Sequence, residues 1–204
     1  MESITPTQHI PYPQGIAHYL VRAPLLGYRL GLGRLLNALF VMVLVTQGRK
    51  SGKPRYAPIE YRRHGSKIYV ISAWGERPNW YQNLLANPVA TVQLGGRAYD
   101  ARARVVENPA EALRALYLFR RIAPARYDTV MGMLINDDTV NARTLPDLSG
   151  QFTIICLDIT GRKPTLPVLA PSLAWLWLLV PVAAVGVTAL VLANRSRRDT
   201  ANGG

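Results

Sequence analysis

The chain has 204 residues, of which 49% are hydrophobic and 18% charged, so it is expected to hold one folded domain with additions, not a disordered or collagen-like protein. Its 24 Lys and Arg against 12 Asp and Glu give a net charge of +12, which favours a phosphate-bearing partner: nucleic acid, anionic lipid or a coenzyme. A single cysteine, Cys156, excludes an intramolecular disulfide framework, and the three scattered histidines lack the spacing of a metal site.

The first predicted element is a helical stretch over residues 18–37. Apolar side chains recur there at helical spacing with arginines between them, and Pro24 is expected to break or start a helix. A basic amphipathic stretch of this kind either lies on anionic lipid or packs on the domain with its arginines in solvent. Residues 1–17 before it are expected to form an N-terminal arm, without a signal-peptide pattern.

The middle of the chain is rich in predicted strands and tight turns. Its expected strands are Leu39–Val45, Tyr56–Arg63, Lys67–Trp74, Ala90–Leu94, Arg97–Val106 and Gln151–Ile159. The turns His64-Gly65 and Gly95-Gly96 indicate hairpins. Short helices are expected over Asn79–Ala86, Pro109–Ile122 and Ala125–Leu134. This order predicts an α+β domain over residues 18–163, mainly antiparallel, with a small barrel or sheet and flanking helices.

A long uncharged segment follows the domain. No charged residue lies between Lys163 and Arg195, and residues 172–193 are almost wholly apolar. As a helix this run would be roughly 33 Å long, enough to cross a bilayer core of about 30 Å. We therefore expect a linker over 164–171, one transmembrane helix over 172–193 and a basic tail over 194–204, the alternative being a buried core helix. Charge counting leaves its orientation open.

Residues 48–55, called the basic loop here, form the most informative motif. They read Gly-Arg-Lys-Ser-Gly-Lys-Pro-Arg, with glycines that allow a turn and four cations that suit a phosphate or a carboxylate. The spacing is neither that of a P-loop nor that of a Rossmann fingerprint. A hairpin loop with solvated charges is the alternative interpretation.

A second cluster, residues 72–84, combines two tryptophans, a tyrosine and several amides at a predicted strand-to-helix corner. Aromatic faces beside amides suit a flat polar ring. Asn79 is expected to cap the helix, with Gln82 three positions later. Alternatively, Trp80 and Leu84 simply pack inward from one face of that helix.

Taken together, the two motifs point to a known family. Gly48 to Arg55, Pro58-Ile59, Gly75, Trp80-Tyr81, Asn83-Leu84 and Asn87-Pro88 at this separation resemble the deazaflavin-dependent nitroreductase family. The strong likeness covers residues 39–107, and a weaker one covers 18–160. It implies a split β-barrel of the flavin-binding type and binding of the deazaflavin coenzyme F420, with FMN as the less favoured cofactor.

The resemblance also implies roles for individual residues. Lys50 and Arg55 match positions that hold the coenzyme's phosphate and acidic tail, Pro58 and Ile59 match the backbone along its ring, and Trp80 and Asn83 match the closing helix. The other residues implied in cofactor binding are Gly48, Ser51, Gly52, Ser72, Trp74 and Gly75. Tyr127 lies in a segment that borders the substrate in relatives and could donate a proton. Glu60, Trp74 and Glu76 depart from residues common in the family, a tyrosine, a lysine and a glycine.

The expected function is hydride transfer from reduced F420 to a quinone or to a nitro or conjugated compound, because the coenzyme supplies the chemistry and no catalytic triad or carboxylate pair is visible. The alternative is a membrane-anchored F420 carrier without turnover. No nucleic-acid-binding module is recognisable, and no metal site is expected. We expect a single-pass protein of the cell membrane with its domain in the cytoplasm and a lipophilic acceptor, and relatives suggest a homodimer as one option.

Overall fold

The computed structural model describes residues 15–135, 137 and 139–172. Its helices and strands, in chain order, are α1 Ile16–Arg29, α2 Gly33–Ala38, β1 Val41–Gln47, β2 Pro54–Glu60, β3 Arg62–His64, β4 Lys67–Ile71, α3 Asn79–Ala86, β5 Val89–Leu94, β6 Arg97–Val105, α4 Pro109–Arg120, α5 Pro124–Ile135, α6 Leu145–Leu148, a 3-10 turn Ser149–Gln151 and β7 Ile154–Ile159. The predicted α+β domain, mainly antiparallel, is confirmed.

The strands form one seven-stranded antiparallel sheet in the order β2-β1-β5-β6-β7-β4-β3. Its two edge strands, β2 and β3, follow each other in the chain with only Tyr61 between them. A sheet whose opposite edges are joined by one residue has to curve until those edges meet, so it forms a half-barrel. The N–H of Tyr61 also donates to the carbonyl of Phe40 at 2.9 Å, which ties this junction to the start of β1.

Alternation along β1 separates two cores. Met42 and Leu44 point into the half-barrel and share a cluster with Tyr81 and Leu84 of α3. Val43 and Val45 point to the opposite face and pack with Tyr28 of α1 and with Leu169. Thus α1 and α3 lie on opposite faces of the same strand. A third cluster joins α4 and α5 to the outer face of β4 and β7.

Helix α4 is fixed to the sheet by a charged side chain as well as by its apolar face. Glu111 accepts hydrogen bonds from Arg104 on β6 at 2.6 and 2.9 Å and from the hydroxyl of Tyr69 on β4 at 2.9 Å. The Arg104 guanidinium holds the pKa of this carboxyl down, at about 2. Asn108 caps the same helix by accepting from the N–H groups of Ala110 and Glu111.

Several predicted boundaries are wrong, and each has a local cause. Pro24 neither breaks nor starts a helix but lies inside α1, because the helix buries Leu25 and Tyr28 on the sheet and so offsets one lost hydrogen bond. The strand expected at Leu39 begins at Val41, after Phe40 turns the chain with a φ of 58°. The strand expected over Tyr56–Arg63 divides at Tyr61, where the chain passes from one sheet edge to the other. Helix α6 and the 3-10 turn were not predicted.

The expected linker, residues 164–171, is packed against the sheet. Gln93 on β5 exchanges two hydrogen bonds with the backbone of Leu169, at 3.0 and 3.1 Å, and the hydroxyl of Thr91 accepts from the N–H of Leu166 at 3.1 Å. Leu169 is 7% exposed. We call residues 164–172 the C-terminal strap.

Most of the predicted N-terminal arm, the tail over 194–204 and all of the expected membrane span except Ser172 lie outside the described residues. Within the described part of the chain, none of the helices has the length and apolar character needed to cross a bilayer.

Candidate functional site

A cavity of about 810 Å³ lies between the basic loop, β2, α1, α3 and α5. Its volume falls in the range of small-molecule and cofactor sites, roughly 300–1,000 Å³. The structure brings together around it ten of the predicted site residues: Gly48, Lys50, Ser51, Arg55, Pro58, Ile59, Trp74, Trp80, Asn83 and Tyr127. The two motifs that are separate in sequence therefore form one site.

The basic loop is a tight turn that directs its cations to the surface. The N–H groups of Ser51 and Gly52 both donate to the carbonyl of Gly48, at 3.2 and 2.7 Å. A Cβ atom at position 48 would lie 2.9 Å from the Ser51 hydroxyl and 3.1 Å from the carbonyl oxygen of Lys53, so a larger residue would crowd this turn. Gly52 has a φ of 65° and does not line the cavity. Its part is to close the turn.

Asn83 connects this loop to helix α3. Its amide oxygen accepts from the backbone N–H of Arg49 at 3.1 Å and from the Arg49 guanidinium at 3.2 Å, and its NH₂ donates to the Thr46 hydroxyl at 3.1 Å. The side chain is almost fully buried. Asn79 is not the helix cap expected from the sequence, since Pro78 precedes the helix and the Asn79 amide oxygen accepts from Arg49 at 3.2 Å instead.

At the aromatic corner, Trp74 and Trp80 line the cavity and a compact turn supports them. The Ser72 hydroxyl donates to the carbonyl of Gly75, and the Gly75 N–H donates back to the Ser72 carbonyl at 3.1 Å. Ser72 and Gly75 therefore build the corner without lining the cavity. Trp80 also packs against the half-barrel core, as the alternative interpretation of that residue expected.

Strand β2 lines the cavity along its whole length and is an edge of the sheet. Pro54 and Pro58 pair with Gln47 and Val43 of β1. In an antiparallel pair, alternate residues direct their backbone N–H and C=O groups toward the partner strand. Proline has no N–H to donate, so Pro54 and Pro58 occupy the positions that point away from β1. Residues 56 and 60, which alternate with them, point the same way. The edge beside the cavity therefore offers carbonyl acceptors at each of these positions but N–H donors only at residues 56 and 60.

A polar cluster of Glu60, Arg62 and Tyr127 lies at the other end of this edge. Tyr127 donates a hydrogen bond to the carboxylate of Glu60, and Arg62 donates to both, its contact with Glu60 being 2.9 Å. Burial, followed by the hydrogen bond to Glu60, raises the pKa of Tyr127 to about 12. The phenol therefore stays protonated at neutral pH.

Arg62 is a buried cation beside the site. Its guanidinium carbon lies 4.5 Å from the ring centroid of Phe40 and 4.8 Å from that of Phe119, so aromatic faces replace part of its hydration. Its Nε has no hydrogen-bond partner among the described residues. Sequence reasoning did not select Arg62, because an arginine in a strand of alternating polarity is typically exposed.

The cavity has further walls that the motifs did not indicate. Helix α1 contributes Val21, Arg22 and Leu25, and α4 and α5 contribute Phe119, Val130, Met131 and Leu134. The helical spacing of Tyr127, Met131 and Leu134 indicates a shared face of α5, but only the fold places that face over β2. In the described part of the chain, no group of three His, Cys, Asp or Glu side chains is arranged to hold a metal.

A sequence model of the F420H(2)-dependent quinone reductase family matches residues 27–134, more than half of the chain. The chain belongs to this family. All thirteen predicted site residues, from Gly48 to Tyr127, lie within the region that matches the F420H(2)-dependent quinone reductase family.

The curated relatives match over a shorter stretch. An F420H(2)-dependent quinone reductase of Mycobacterium tuberculosis is 30% identical over 69 residues, which are 32% of this chain and 46% of the relative. A second protein of that organism, named for the same activity, is 36% identical over 74 residues, 35% of this chain and 62% of the relative. The chain thus spans about half the length of the first relative. A solved F420-H2 dependent reductase is 26% identical with a TM-score of 0.42, covering 58% of this chain and 94% of that one.

Proposed function

We propose that the cavity binds reduced coenzyme F420 and that the chain transfers a hydride from it to a quinone or a related electrophilic acceptor. The observation that carries this proposal is the joining of the basic loop and the aromatic corner in one cavity. Membership of the F420H(2)-dependent quinone reductase family supports it. The same family supports F420 over FMN as the cofactor.

The charges of the loop fit an anionic coenzyme. Arg49, Lys50, Lys53 and Arg55 are exposed, and no carboxylate in the described ranges forms an ion pair with any of them. Cations left without anionic partners beside a cavity suit a ligand that carries phosphate and carboxylate groups. Lys50 and Arg55 would hold these groups, and Asn83 would keep the loop in position for them.

The far end of the cavity fits a planar ring and an acceptor. Pro58 and Ile59 would lie along the ring, with Trp74 and Trp80 bordering it, and the carbonyls at the β2 edge could accept from ring N–H groups. Phe119, Met131 and Leu134 add an apolar wall beyond the predicted coenzyme residues. A carrier needs no such wall, so this observation favours turnover over mere coenzyme storage.

Residues beside that wall would also supply the proton that the acceptor needs. When bound, the reduced coenzyme supplies a hydride, so a quinone needs one further proton to become the quinol. Tyr127 holds a proton at its hydroxyl oxygen on the cavity wall, and Glu60 connects it to solvent, its side chain being half exposed. Arg62 keeps both groups in place.

We also propose that the half-barrel is a split β-barrel of the flavin-binding type, because β2 and β3 meet at Tyr61 as such a barrel requires. From the sequence we further propose that residues 172–193 anchor the domain on the cytoplasmic side of the cell membrane. A homodimer remains a proposal from the family resemblance.

The test is coenzyme binding and turnover by the full chain in detergent. We expect the double variant Lys50→Ala, Arg55→Ala to lose most of its affinity for F420, measured by quenching of the coenzyme's fluorescence. Arg143→Ala, an exposed cation outside the cavity lining, is the matched control and should bind as the wild type does.

Oxidation of reduced F420 by menadione then separates enzyme from carrier. Tight binding with turnover supports the reductase, and tight binding without turnover of any quinone supports the carrier. Equal binding by the double variant and the control would overturn the assignment of the loop.

A further inference from the structure

The exposed apolar side chains of this domain are concentrated on α1, α2 and the turn after them. Of the large apolar side chains with high exposure among the described residues, most lie within residues 19–40. We define the α1–α2 face as Leu26, Leu30, Leu32, Leu35, Leu39 and Phe40, which are between 36% and 62% exposed. Scattered apolar residues on a surface are ordinary, but a contiguous set marks a binding surface.

Helix geometry explains why the domain cannot cover this face. At about 100° per residue, Leu26 and Leu30 lie on the side of α1 opposite Tyr28. Tyr28 is buried, and its hydroxyl donates to the carbonyls of Val41 and Gln93 on the sheet, at 2.9 and 3.2 Å. On α2 and at its two ends, Leu32, Leu35 and Leu39 are also exposed. Leu36 is partly buried and packs against the cluster around Tyr28.

The charged residues of α1 and α2 are all arginines. Arg22 and Arg29 flank the leucines of α1, and Arg34 lies on α2; all three are exposed. The sequence has no Asp or Glu between Glu2 and Glu60. A second copy of the same face would set arginine against arginine about a twofold axis, which is unfavourable. An anionic lipid surface satisfies both the leucines and the arginines.

The C-terminal strap ends beside this face. The N–H of Ser172 donates to the carbonyl of Arg29 at 2.7 Å, so the last described residue is fixed at the end of α1. The sequence that follows contains no charged residue before Arg195. The start of the most apolar segment of the chain therefore lies next to the apolar face.

We propose that the α1–α2 face is a docking surface for an anionic bilayer, with its leucines and Phe40 among the headgroups and Arg22, Arg29 and Arg34 on lipid phosphates. This inference does not depend on the coenzyme or the reaction. Because Val21, Arg22 and Leu25 also line the cavity, a bilayer under α1 lies at the cavity rim.

The lone cysteine makes a direct test available. Cys156 is fully buried, so a maleimide dye reacts with a cysteine introduced at the surface and not with Cys156. The full chain carrying Leu35→Cys is labelled with an environment-sensitive fluorophore and mixed with vesicles of phosphatidylglycerol and phosphatidylcholine, or of phosphatidylcholine alone. Leu85→Cys is the matched control, because Leu85 is 53% exposed on α3, on the opposite face of β1.

We expect a blue shift at position 35 and strong quenching by spin-labelled lipid with the anionic vesicles only, and no change at position 85. Adding Arg22→Gln, Arg29→Gln and Arg34→Gln should abolish most of that quenching. Equal quenching at both positions would mean that residues 173–193 alone hold the protein, and would overturn the proposal. Protection of position 35 from aqueous iodide without lipid would overturn it in favour of a second copy or of the chain's own apolar segment.

Discussion

Asn83 shows how one buried amide can organise a charged loop. Its amide oxygen accepts from the N–H of Arg49, and its NH₂ donates to the hydroxyl of Thr46, next to the start of the basic loop. A buried polar group that loses its partner costs about 1–3 kcal/mol. The position of the loop cations therefore depends on a residue that carries no charge itself.

Replacing Asn83 by alanine is expected to lower the free energy of unfolding by about 2 kcal/mol, because Thr46 and Arg49 are left without their partner. It should also weaken F420 binding about tenfold, an amount that about 1.4 kcal/mol of lost positioning produces. Chemical denaturation and fluorescence titration measure the two effects. Leu85→Ala on the same helix should leave both unchanged, and wild-type affinity in the Asn83 variant would show that the loop is held by other contacts.

Tyr127 gives a pH-dependent prediction. Its pKa is raised from 10 to about 12, so the folded protein keeps the phenol proton where the unfolded chain releases it. This contribution to stability is complete below pH 10 and is lost as the pH rises from 10 to about 12. The free energy of unfolding of the wild type should fall more steeply over that range than that of Tyr127→Phe. Parallel curves would show that the environment of Tyr127 does not favour its neutral form.

At this scale the sequence identified what is local. The basic loop and the aromatic corner are each contiguous in the chain. Their predicted residues and Tyr127 line the cavity, except Gly52, Ser72 and Gly75, which support it by forming turns. Arg62 and Arg22 could not be predicted, because their proximity to the cavity follows from how the sheet closes and where α1 packs. No pattern around either residue distinguishes it from a solvated arginine.

Among the elements, the C-terminal strap departs most from expectation. Its sequence of prolines and small residues indicated a linker, yet it lies across the outer face of the sheet with Leu169 in the core between α1 and β1. Its backbone N–H groups donate hydrogen bonds to the side chains of Thr91 and Gln93 on β5. A strap without regular structure leaves no periodic signal, so the sequence did not predict that it packs on the sheet.

Leu169→Ala is expected to destabilise the protein by about 2–3 kcal/mol, since it removes a buried side chain from a cluster that also covers Val43 and Val45. The neighbouring Val168 is 42% exposed, and Val168→Ala should change the unfolding free energy by less than about 0.5 kcal/mol. Urea denaturation of the full chain distinguishes the two. Similar values for both variants would mean that the strap does not contribute to the folded core.

For the whole molecule, the hairpin turns and alternating patterns predicted an antiparallel sheet, and the sheet is antiparallel. The strand order was not predictable, because β1 pairs with β5 and β6 with β7 across long sequence separations. Closure depends on Tyr61, a single residue inside what the pattern presented as one continuous strand. Long-range pairing of this kind is set by the complete hydrophobic core and not by local propensity.

The distribution of charge over the molecule leads to a prediction about salt. The chain has a net charge of +12, and its basic loop has no anionic partner among the residues described here. Affinity for an anionic coenzyme should therefore fall several-fold as ionic strength rises from low to physiological values. The Lys50→Ala, Arg55→Ala variant should show a clearly shallower salt dependence, whereas Arg143→Ala should not. Salt-independent binding by the wild type would indicate recognition through the ring alone.

The two prolines of β2 have a consequence for the protein in a crowded cell. An exposed sheet edge normally invites a strand from another molecule to pair with it, and such pairing initiates aggregation. On β2, Pro54 and Pro58 remove alternate outward donors, so an incoming strand would meet an incomplete ladder. The cavity can thus keep its backbone acceptors open to a small ligand without offering a template for intermolecular β-sheet.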